Sequence, residues 1–280
     1  MTARQRIVAG TAATLTWQAV DQNGEPSDPG TTTVAVTGSD GTVILAAGTA
    51  TTPAGTTRTV AIPAQEIDEL TVIWSGASAT ETVHVDVVGG VYFTVANLRA
   101  NERSLNSTID YEAADVIAKR IETETLFEQR TFQAFVPRLA ILTTTRQAQA
   151  RRTMIREVRW AQTTDGDFIT DTDAIARVVE VETWGVRCAA HIDRVAVVHG
   201  YDAPPADVLS KAMQYTRHLL TTNTAGLDLR VLAQSSPDGI VTRFATPGAG
   251  RWITGIPDID EVLFVYRDPV VPRSVRQGGY

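Results

Sequence analysis

The segment from His199 to Arg267 constrains the fold most, because it supports neither one continuous strand nor one continuous helix. Pro204 and Pro205 have no backbone N–H and a fixed φ, so a central strand cannot cross them. Proline does suit the first turn of a helix. The strand-like run Val195 to Val198 is therefore predicted to end here, and a helix is predicted to begin near Pro205.

Two helices are predicted within this segment. The first, at 205–221, carries one apolar stripe with spacings of three and four: Val208, Leu209, Ala212, Met213, Thr216, Leu219 and Leu220. After a polar stretch, a glycine-rich turn at 246–250 precedes Ile256 and Pro257. The second helix is predicted at 257–266, again with proline in its first turn.

Length and charge divide the chain in two. A chain of 280 residues exceeds the usual single-domain size, and residues 1–90 hold three arginines against nine acidic residues. The boundary is predicted at Gly89 and Gly90, and residues 1–90 are expected to fold alone and to be dispensable for the rest. The net charge of −7 argues against a protein that wraps nucleic acid, because such binding depends on neutralising phosphates. It is compatible with a protein that DNA passes without being bound tightly.

The first ninety residues show the alternation of half-buried strands. Leu15, Trp17 and Ala19 alternate with polar neighbours, and similar short runs follow at 32–37, 42–45, 57–62, 71–74 and 80–88. Threonine and valine crowd these runs because β-branched side chains suit a pleated surface. The pattern predicts a β-sandwich, which resembles in architecture the immunoglobulin-like modules of phage structural proteins. The cysteine pair of antibody domains is missing.

Two more helices are predicted after the sandwich, at 97–103 and 111–128. One side of the longer helix carries a stripe of small and apolar residues: Ala114, Ile117, Ala118, Ile121 and Thr125. Arg120, Glu124 and Glu128 border this stripe, which is typical of a helix that meets a neighbouring subunit; a solvated edge is the competing interpretation. Ile117 and Ile121 are also expected to share a core with Val208, Leu219 and Leu220.

The segment 139–198 is predicted to be a β-rich insertion, with strands near 156–160, 177–182 and 195–198. Four aspartates between Asp165 and Asp173 are compatible with calcium, but Asp165-Gly166 is the usual chemistry of a hairpin turn. The densest positive cluster is a polar loop with Arg146, Arg151, Arg152 and Arg156. These arginines could contact phosphates in a DNA channel, pair with acids of the next subunit, or be solvated.

The sequence shows no catalytic motif. The four histidines, His84, His191, His199 and His218, are scattered, and no phosphate-binding, nucleophile-elbow or zinc-helix pattern occurs. Cys188 is the only cysteine, so no intrachain disulfide or thiolate metal cluster forms. We expect no enzymatic activity, cofactor, metal site or membrane span.

The order of three motifs resembles the head-to-tail adaptor proteins of long-tailed phages, the connectors below the portal. These motifs are the strand that runs into HGYDAPPADV, the glycine-rich turn before TGIPDIDEVLFVYR, and GGVYFTVANLRA at 89–100. The resemblance covers about two thirds of the chain. It implies an α+β, multidomain protein, with an Ig-like β-sandwich at 1–90 and a small helical-bundle adaptor domain at 91–267 that carries the inserted strands.

The resemblance also implies a function. Such a protein forms a homo-oligomeric ring, expected to be a dodecamer, that links the portal protein to the next neck protein on the stopper or tail-terminator side. DNA would pass through the ring without sequence-specific binding. The protein would be assembled in the host cytoplasm and lie at the neck of the virion. The alternative is a virion-surface or tail-associated adhesion module built on the Ig-like domain.

The last residues, 268–280, are too short and proline-rich for a domain but suit an extended segment. Adaptors commonly send this segment to the portal, and on that basis a portal-docking tail is predicted with six contact residues: Val270, Val271, Arg273, Val275, Arg276 and Tyr280. A terminus without fixed structure is the competing interpretation.

Overall fold

The computed structural model describes residues 5–21, 23–77, 80–144, 149–151, 154–182, 185–221, 231–233, 243–244 and 254–267. The strands among these residues are β1 (Gln5–Val8), β2 (Ala13–Gln18), β3 (Thr33–Thr37), β4 (Val43–Ala50), β5 (Thr52–Ala54), β6 (Thr57–Ile62), β7 (Asp68–Ser75), β8 (Thr80–Val88), β9 (Arg138–Thr143), β10 (Gln149–Arg151), β11 (Ile155–Thr163), β12 (Phe168–Ile169), β13 (Val179–Glu182), β14 (Gly185–Cys188), β15 (Ile192–His199), β16 (Val231–Ala233) and β17 (Arg243–Phe244). The helices are α1 (Val95–Asn101), α2 (Ala113–Thr131), α3 (Thr172–Val178), α4 (Ala206–Thr221) and α5 (Pro257–Val265), with one 3₁₀ turn at Arg103–Leu105. The fold is therefore α+β, as predicted.

The chain forms two compact units, each built from two stretches of sequence. The first contains Met1–Gly90 and Pro137–Gly200, and the second contains Val91–Val136 and Tyr201–Tyr280. The predicted boundary at Gly90 falls between the units. The β-rich segment, predicted as part of a domain at 91–267, is grouped with the sandwich instead, although it is still inserted between helices in chain order.

Residues 1–90 form two sheets that share one core. The first sheet has the order β1-β8-β7-β3-β4, with β1 parallel to β8, and the second has the order β2-β6-β5. Both sheets contribute to the core: Leu15, Trp17, Val60 and Ile62 come from the second, and Val34, Val36, Leu70, Val72, Trp74, Val85 and Val87 come from the first. Trp17 stacks on Trp74 with ring centroids 5.8 Å apart. The predicted β-sandwich is confirmed, and β1 and β5 are additional strands.

The inserted segment forms a four-stranded sheet, β12-β11-β15-β9, and a three-stranded sheet, β10-β14-β13. Its aspartate run builds a hairpin between β11 and β12, in which Thr163 donates its N–H to the Asp167 carbonyl at 2.9 Å. Gly166 takes the left-handed φ of 96° that this turn requires. Asp171 then caps α3, a helix that the sequence patterns did not predict, by accepting from the Ala174 N–H.

The inserted sheet and the sandwich are joined within the first unit. Trp160 of β11 donates its indole N–H to the Ser39 hydroxyl oxygen at 2.9 Å, and Gly89 donates its N–H to the Pro137 carbonyl at 2.9 Å. A Cβ at Gly89 would lie only 2.7 Å from the Pro137 side chain. Glycine at this position thus permits a close backbone approach, in addition to marking the predicted boundary.

In the second unit, α1, α2, α4 and α5 surround one core. Its fully buried members include Leu98, Phe127, Phe135, Val208, Ala212, Ile259 and Leu263. The predicted stripe of α4 is confirmed for Val208, Ala212, Met213 and Thr216, all of which are buried, while Leu220 is partly buried against the core. The segment before α5 folds onto the helix, because the Asp260 carboxylate accepts from the Thr254 N–H at 2.8 Å and the Gly255 N–H at 3.2 Å.

The predicted core position of Ile117 is wrong. Its side chain is 39% exposed, and the buried face of α2 carries a different and more polar set: Val116, Thr123, Glu124, Phe127 and Thr131. Thr123 meets Thr216 of α4 through their hydroxyl groups at 2.8 Å. Because polar residues face the core here, the apolar stripe of the sequence lies on the opposite side of the helix.

Candidate functional site

The outward side of α2 presents an uncovered apolar surface, which we call the α2 patch. It consists of Ile109 in the preceding loop and Ala114, Ile117, Ala118 and Ile121 on the helix. Ile109 is 88% exposed, both alanines are exposed, and Ile121 is half-buried. Ile109 precedes the helix in the chain, and exposed apolar side chains grouped on one helix face are characteristic of a protein interaction surface.

The rim of the α2 patch is acidic. Asp115 and Glu122 lie on the helix beside Ala118 and are exposed, and Asp110 and Glu112 are exposed directly before the helix; Lys119, a basic side chain on the helix, pairs with Glu122 at 2.8 Å. A partner that covers this surface therefore needs apolar side chains with basic neighbours. Two copies of the same patch would bring like charges together.

Three predicted interface residues lie inside the second unit instead. Glu124 is fully buried and accepts the Tyr92 N–H at 3.0 Å, and Arg120 donates to the Phe93 carbonyl at 3.0 Å. The Tyr92 hydroxyl donates to Glu128 at 3.3 Å. These contacts hold the segment before α1 against α2. Glu124 is fully buried within its own unit, and a role of Arg120, Glu124 and Glu128 at a subunit interface stays a prediction.

Of the predicted arginine loop, the structure describes only part. Arg146 and Arg152 lie outside the described residues, and for Arg151 only its backbone position in β10 is described. Arg156 is exposed on β11 and donates its Nε to the Gly200 carbonyl at 2.8 Å. The next arginine, Arg159, pairs with Glu66 and with Glu157, which are acids of its own unit.

All residues of the predicted portal-docking tail, Val270, Val271, Arg273, Val275, Arg276 and Tyr280, lie outside the described residues. The structure describes the chain up to Arg267, directly after α5. Phe264 and Val265 at the end of this helix are 65% and 70% exposed. The second unit thus has exposed apolar side chains both on α2 and where the tail begins.

A pocket of about 270 Å³ lies in the first unit between the sandwich and the inserted sheet, and no sequence pattern predicts it. Its walls carry Asp40, Glu66, Asp68, Glu157 and Arg159 beside Trp160. Burial raises the pKa of Asp68, while hydrogen bonds from Ser39 and from the Glu69 N–H act in the opposite direction. Hydrogen bonds and ion pairs already engage Glu66, Asp68 and Glu157, so their arrangement is structural.

Within the described part of the chain, no group of three His, Cys, Asp or Glu side chains is arranged to hold a metal ion. Cys188 is buried there, and burial raises the pKa of its thiol to about 11. None of the helices in the same residues combines the length and the apolar character needed to cross a membrane.

No protein-family model matches the chain, and no curated protein matches its sequence. Among solved structures, domains 5-6 of the S-layer protein SbsC are similar at 14% identity, with 73% of this chain and 83% of that chain covered. The TM-score of this match is 0.23. A similarity at this level supports no conclusion about the fold or the function of the chain.

Proposed function

We propose that this chain is a structural virion protein, the head-to-tail adaptor of a long-tailed phage. In this proposal it forms a ring beneath the portal, links the portal to the next neck protein and continues the DNA channel. The second unit, with its small bundle of α1, α2, α4 and α5, is the adaptor domain. The protein acts as a non-enzymatic structural component.

The observation that carries the proposal is the α2 patch. On α2, Ile117 and two alanines are exposed on a helix whose other side is buried, and Ile109 is exposed in the loop before the helix. Exposing apolar surface to water is unfavourable, so a partner that covers it gains free energy. This property favours a protein that works within an assembly.

The acidic rim favours a ring over a symmetric pair. An isologous dimer through the α2 patch would bring two copies of the acidic residues Asp115 and Glu122 into one interface. A contact between two different surfaces avoids this repulsion. Such heterologous contacts, repeated by rotation, close into a ring or grow into a filament. The resemblance to adaptors favours closure, with a dodecamer as the expected ring.

Two experiments test the proposal. Electron microscopy of virions labelled with antibodies against the sandwich should place the label at the head-to-tail joint. The purified chain should form rings, and Ile109→Lys combined with Ile117→Lys should abolish them. Val181→Lys is the matched control, since Val181 is 51% exposed on β13 in the other unit. Label on the capsid surface or at the tail tip would contradict the adaptor and favour the adhesion module.

A further inference from the structure

We propose that the C-terminal segment 268–280 of one copy covers the α2 patch of a neighbouring copy, in place of the portal contact that the resemblance to adaptors implies for the same residues. The starting observation is that the α2 patch combines exposed apolar side chains with an acidic rim of Asp110, Glu112, Asp115 and Glu122. Its occupant must therefore supply apolar anchors and positive charge. Because this segment is part of the chain itself, the proposal identifies the contact that closes the proposed ring.

The composition of the segment meets both requirements. Val270, Val271 and Val275 are apolar anchors, and Arg273 and Arg276 stand between and after them. Asp268 is its only acidic residue, and it lies at the start. Valines spaced along an extended segment can contact an apolar helix face while the neighbouring arginines reach carboxylates at the rim.

The length of the segment permits a contact between copies. Residues 268–280 follow directly after Arg267, at the end of α5, and an extended chain of this length spans up to about 45 Å. That reach exceeds the thickness of a helix severalfold. The segment and the α2 patch are different surfaces, so their contact is heterologous. Heterologous contacts repeated by rotation are those that build the proposed ring.

The competing occupant is the segment 222–253, of which only Val231–Ala233 and Arg243–Phe244 are described. It is attached at both ends within its own copy, to α4 and to Thr254. Its three arginines and two aspartates give the same net side-chain charge, 3 − 2 = +1, as the two arginines and one aspartate of residues 268–280, 2 − 1 = +1, so its attachment at both ends, and not its charge, makes it the less suitable occupant. The two occupants can be distinguished directly by disulfide trapping.

The native chain suits this experiment. Cys188, the only cysteine, is buried, and burial raises the pKa of its thiol to about 11, so it stays protonated at neutral pH. In the full-length chain, Ile117→Cys is combined in turn with Val270→Cys, Val271→Cys and Val275→Cys. The matched control is Val181→Cys with Val271→Cys, and the competing pair is Ile117→Cys with Val241→Cys. Circular dichroism checks that each variant is folded.

We expect at least one tail pair to give dimers or larger disulfide-linked species on a non-reducing gel, about tenfold above the control pair, because a docked segment has a high effective concentration. Asp115→Lys with Glu122→Lys should lower that yield about fivefold, the size expected for two exposed ion pairs. Trapping no greater than the control, trapping only within one copy, or stronger trapping with Val241→Cys would each overturn the proposal.

The position of the protein in the virion is measured separately, by the antibody label. If the label lies at the neck but truncation after Arg267 leaves the rings unchanged, the tail contact fails and the adaptor stands. If trapping between copies succeeds but the label lies elsewhere, the adaptor fails and the tail contact stands.

Discussion

Trp160 donates its indole N–H to the hydroxyl oxygen of Ser39, with 2.9 Å between the two atoms, although the residues are 121 positions apart in sequence. Ser39 in turn donates its hydroxyl to Asp68. The indole of Trp160 is buried by this arrangement, and Arg159 beside it pairs with Glu66 of the sandwich. The inserted sheet thus depends on the sandwich for the partners of its polar groups.

The first prediction concerns deletion of the sandwich. From the sequence, a chain that starts at Val91 was expected to be soluble and helical. The structure leads us to expect the opposite, because the deletion exposes Trp160 and removes Glu66, one of the two acids that pair with Arg159. Light scattering and circular dichroism should show an aggregated or partly unfolded product.

The control for this deletion removes residues 137–200 as well and joins Val136 to Tyr201 through a short Gly-Ser linker. A short linker suffices, since the Tyr201 N–H donates to the Ala134 carbonyl at 3.0 Å. This second truncated chain keeps the core of the helical unit and should be soluble. A monodisperse, folded chain starting at Val91 would contradict the dependence on the sandwich.

The second prediction concerns Asp68. Burial raises its pKa above the ordinary value, so the folded protein binds this proton more tightly than the unfolded chain does. Its contribution to the free energy of unfolding is present below the ordinary pKa of 3.8 and is lost as the pH rises through the folded pKa. The melting midpoint of the native protein, relative to that of Asp68→Asn, should therefore fall as the pH rises above the ordinary pKa of 3.8.

Ser39→Ala provides the matched test for Asp68. Removing the hydroxyl donor takes away a hydrogen bond that lowers the pKa of Asp68, so the pH dependence should become steeper in this variant. Asp40, Glu66, Glu157 and Arg159 line the same pocket in every variant, which is why differences between variants are compared. A pH-independent difference between the native protein and Asp68→Asn would show that Asp68 is not perturbed.

The third prediction concerns Glu124, whose carboxylate is fully buried 3.6 Å from Arg120 Nε. Glu124→Ala should lower the free energy of unfolding by about 3–5 kcal/mol, because it leaves a buried charge and the Tyr92 N–H without this acceptor. Glu124→Gln retains an oxygen for Tyr92 and should cost less. Glu122→Ala, on the exposed side of α2, should change stability by less than about 0.5 kcal/mol.

The fourth prediction compares two residues of α5. Leu263 is fully buried, so Leu263→Ala should cost about 2–5 kcal/mol in chemical unfolding. Val265 is 70% exposed two residues later, and Val265→Ala should stay within about 0.5 kcal/mol of the native protein. Equal losses in the two variants would mean that α5 packs with another face.

Sequence patterns predicted the positions of the helices and strands more reliably than they predicted which side of each helix is buried. In α4 the apolar spacing identified Val208 and Ala212 as core because apolar residues dominate that side, with Thr216 as its polar member. In α2 the same reasoning identified the correct stripe and the wrong direction, since Thr123 and Glu124 form the buried side. Their burial depends on partners that come from elsewhere, namely Thr216 and the Tyr92 N–H.

Contacts between segments that are distant in sequence could not be predicted from the spacing of apolar and polar residues. Ser39, Asp40 and Gly41 indicate a turn, and nothing in their spacing indicates that Trp160 and Arg159 lie opposite. The pocket and the grouping of the inserted sheet with the sandwich arise from such pairings. The helix α3 was not predicted because Asp165-Gly166 indicates a hairpin turn, and the aspartates that follow were assigned to the same turn. One of them, Asp171, is the N-cap of α3.

The hydrogen bonds between Asp260 and the Thr254 and Gly255 backbone have a further consequence for how the chain can vary. The start of α5 is held by hydrogen bonds within residues 254–260 alone. These bonds involve no residue before Thr254. Adding a few residues to a connecting segment costs little free energy. Related chains can therefore lengthen or shorten the stretch before Thr254 without changing which side of the last helix meets the core.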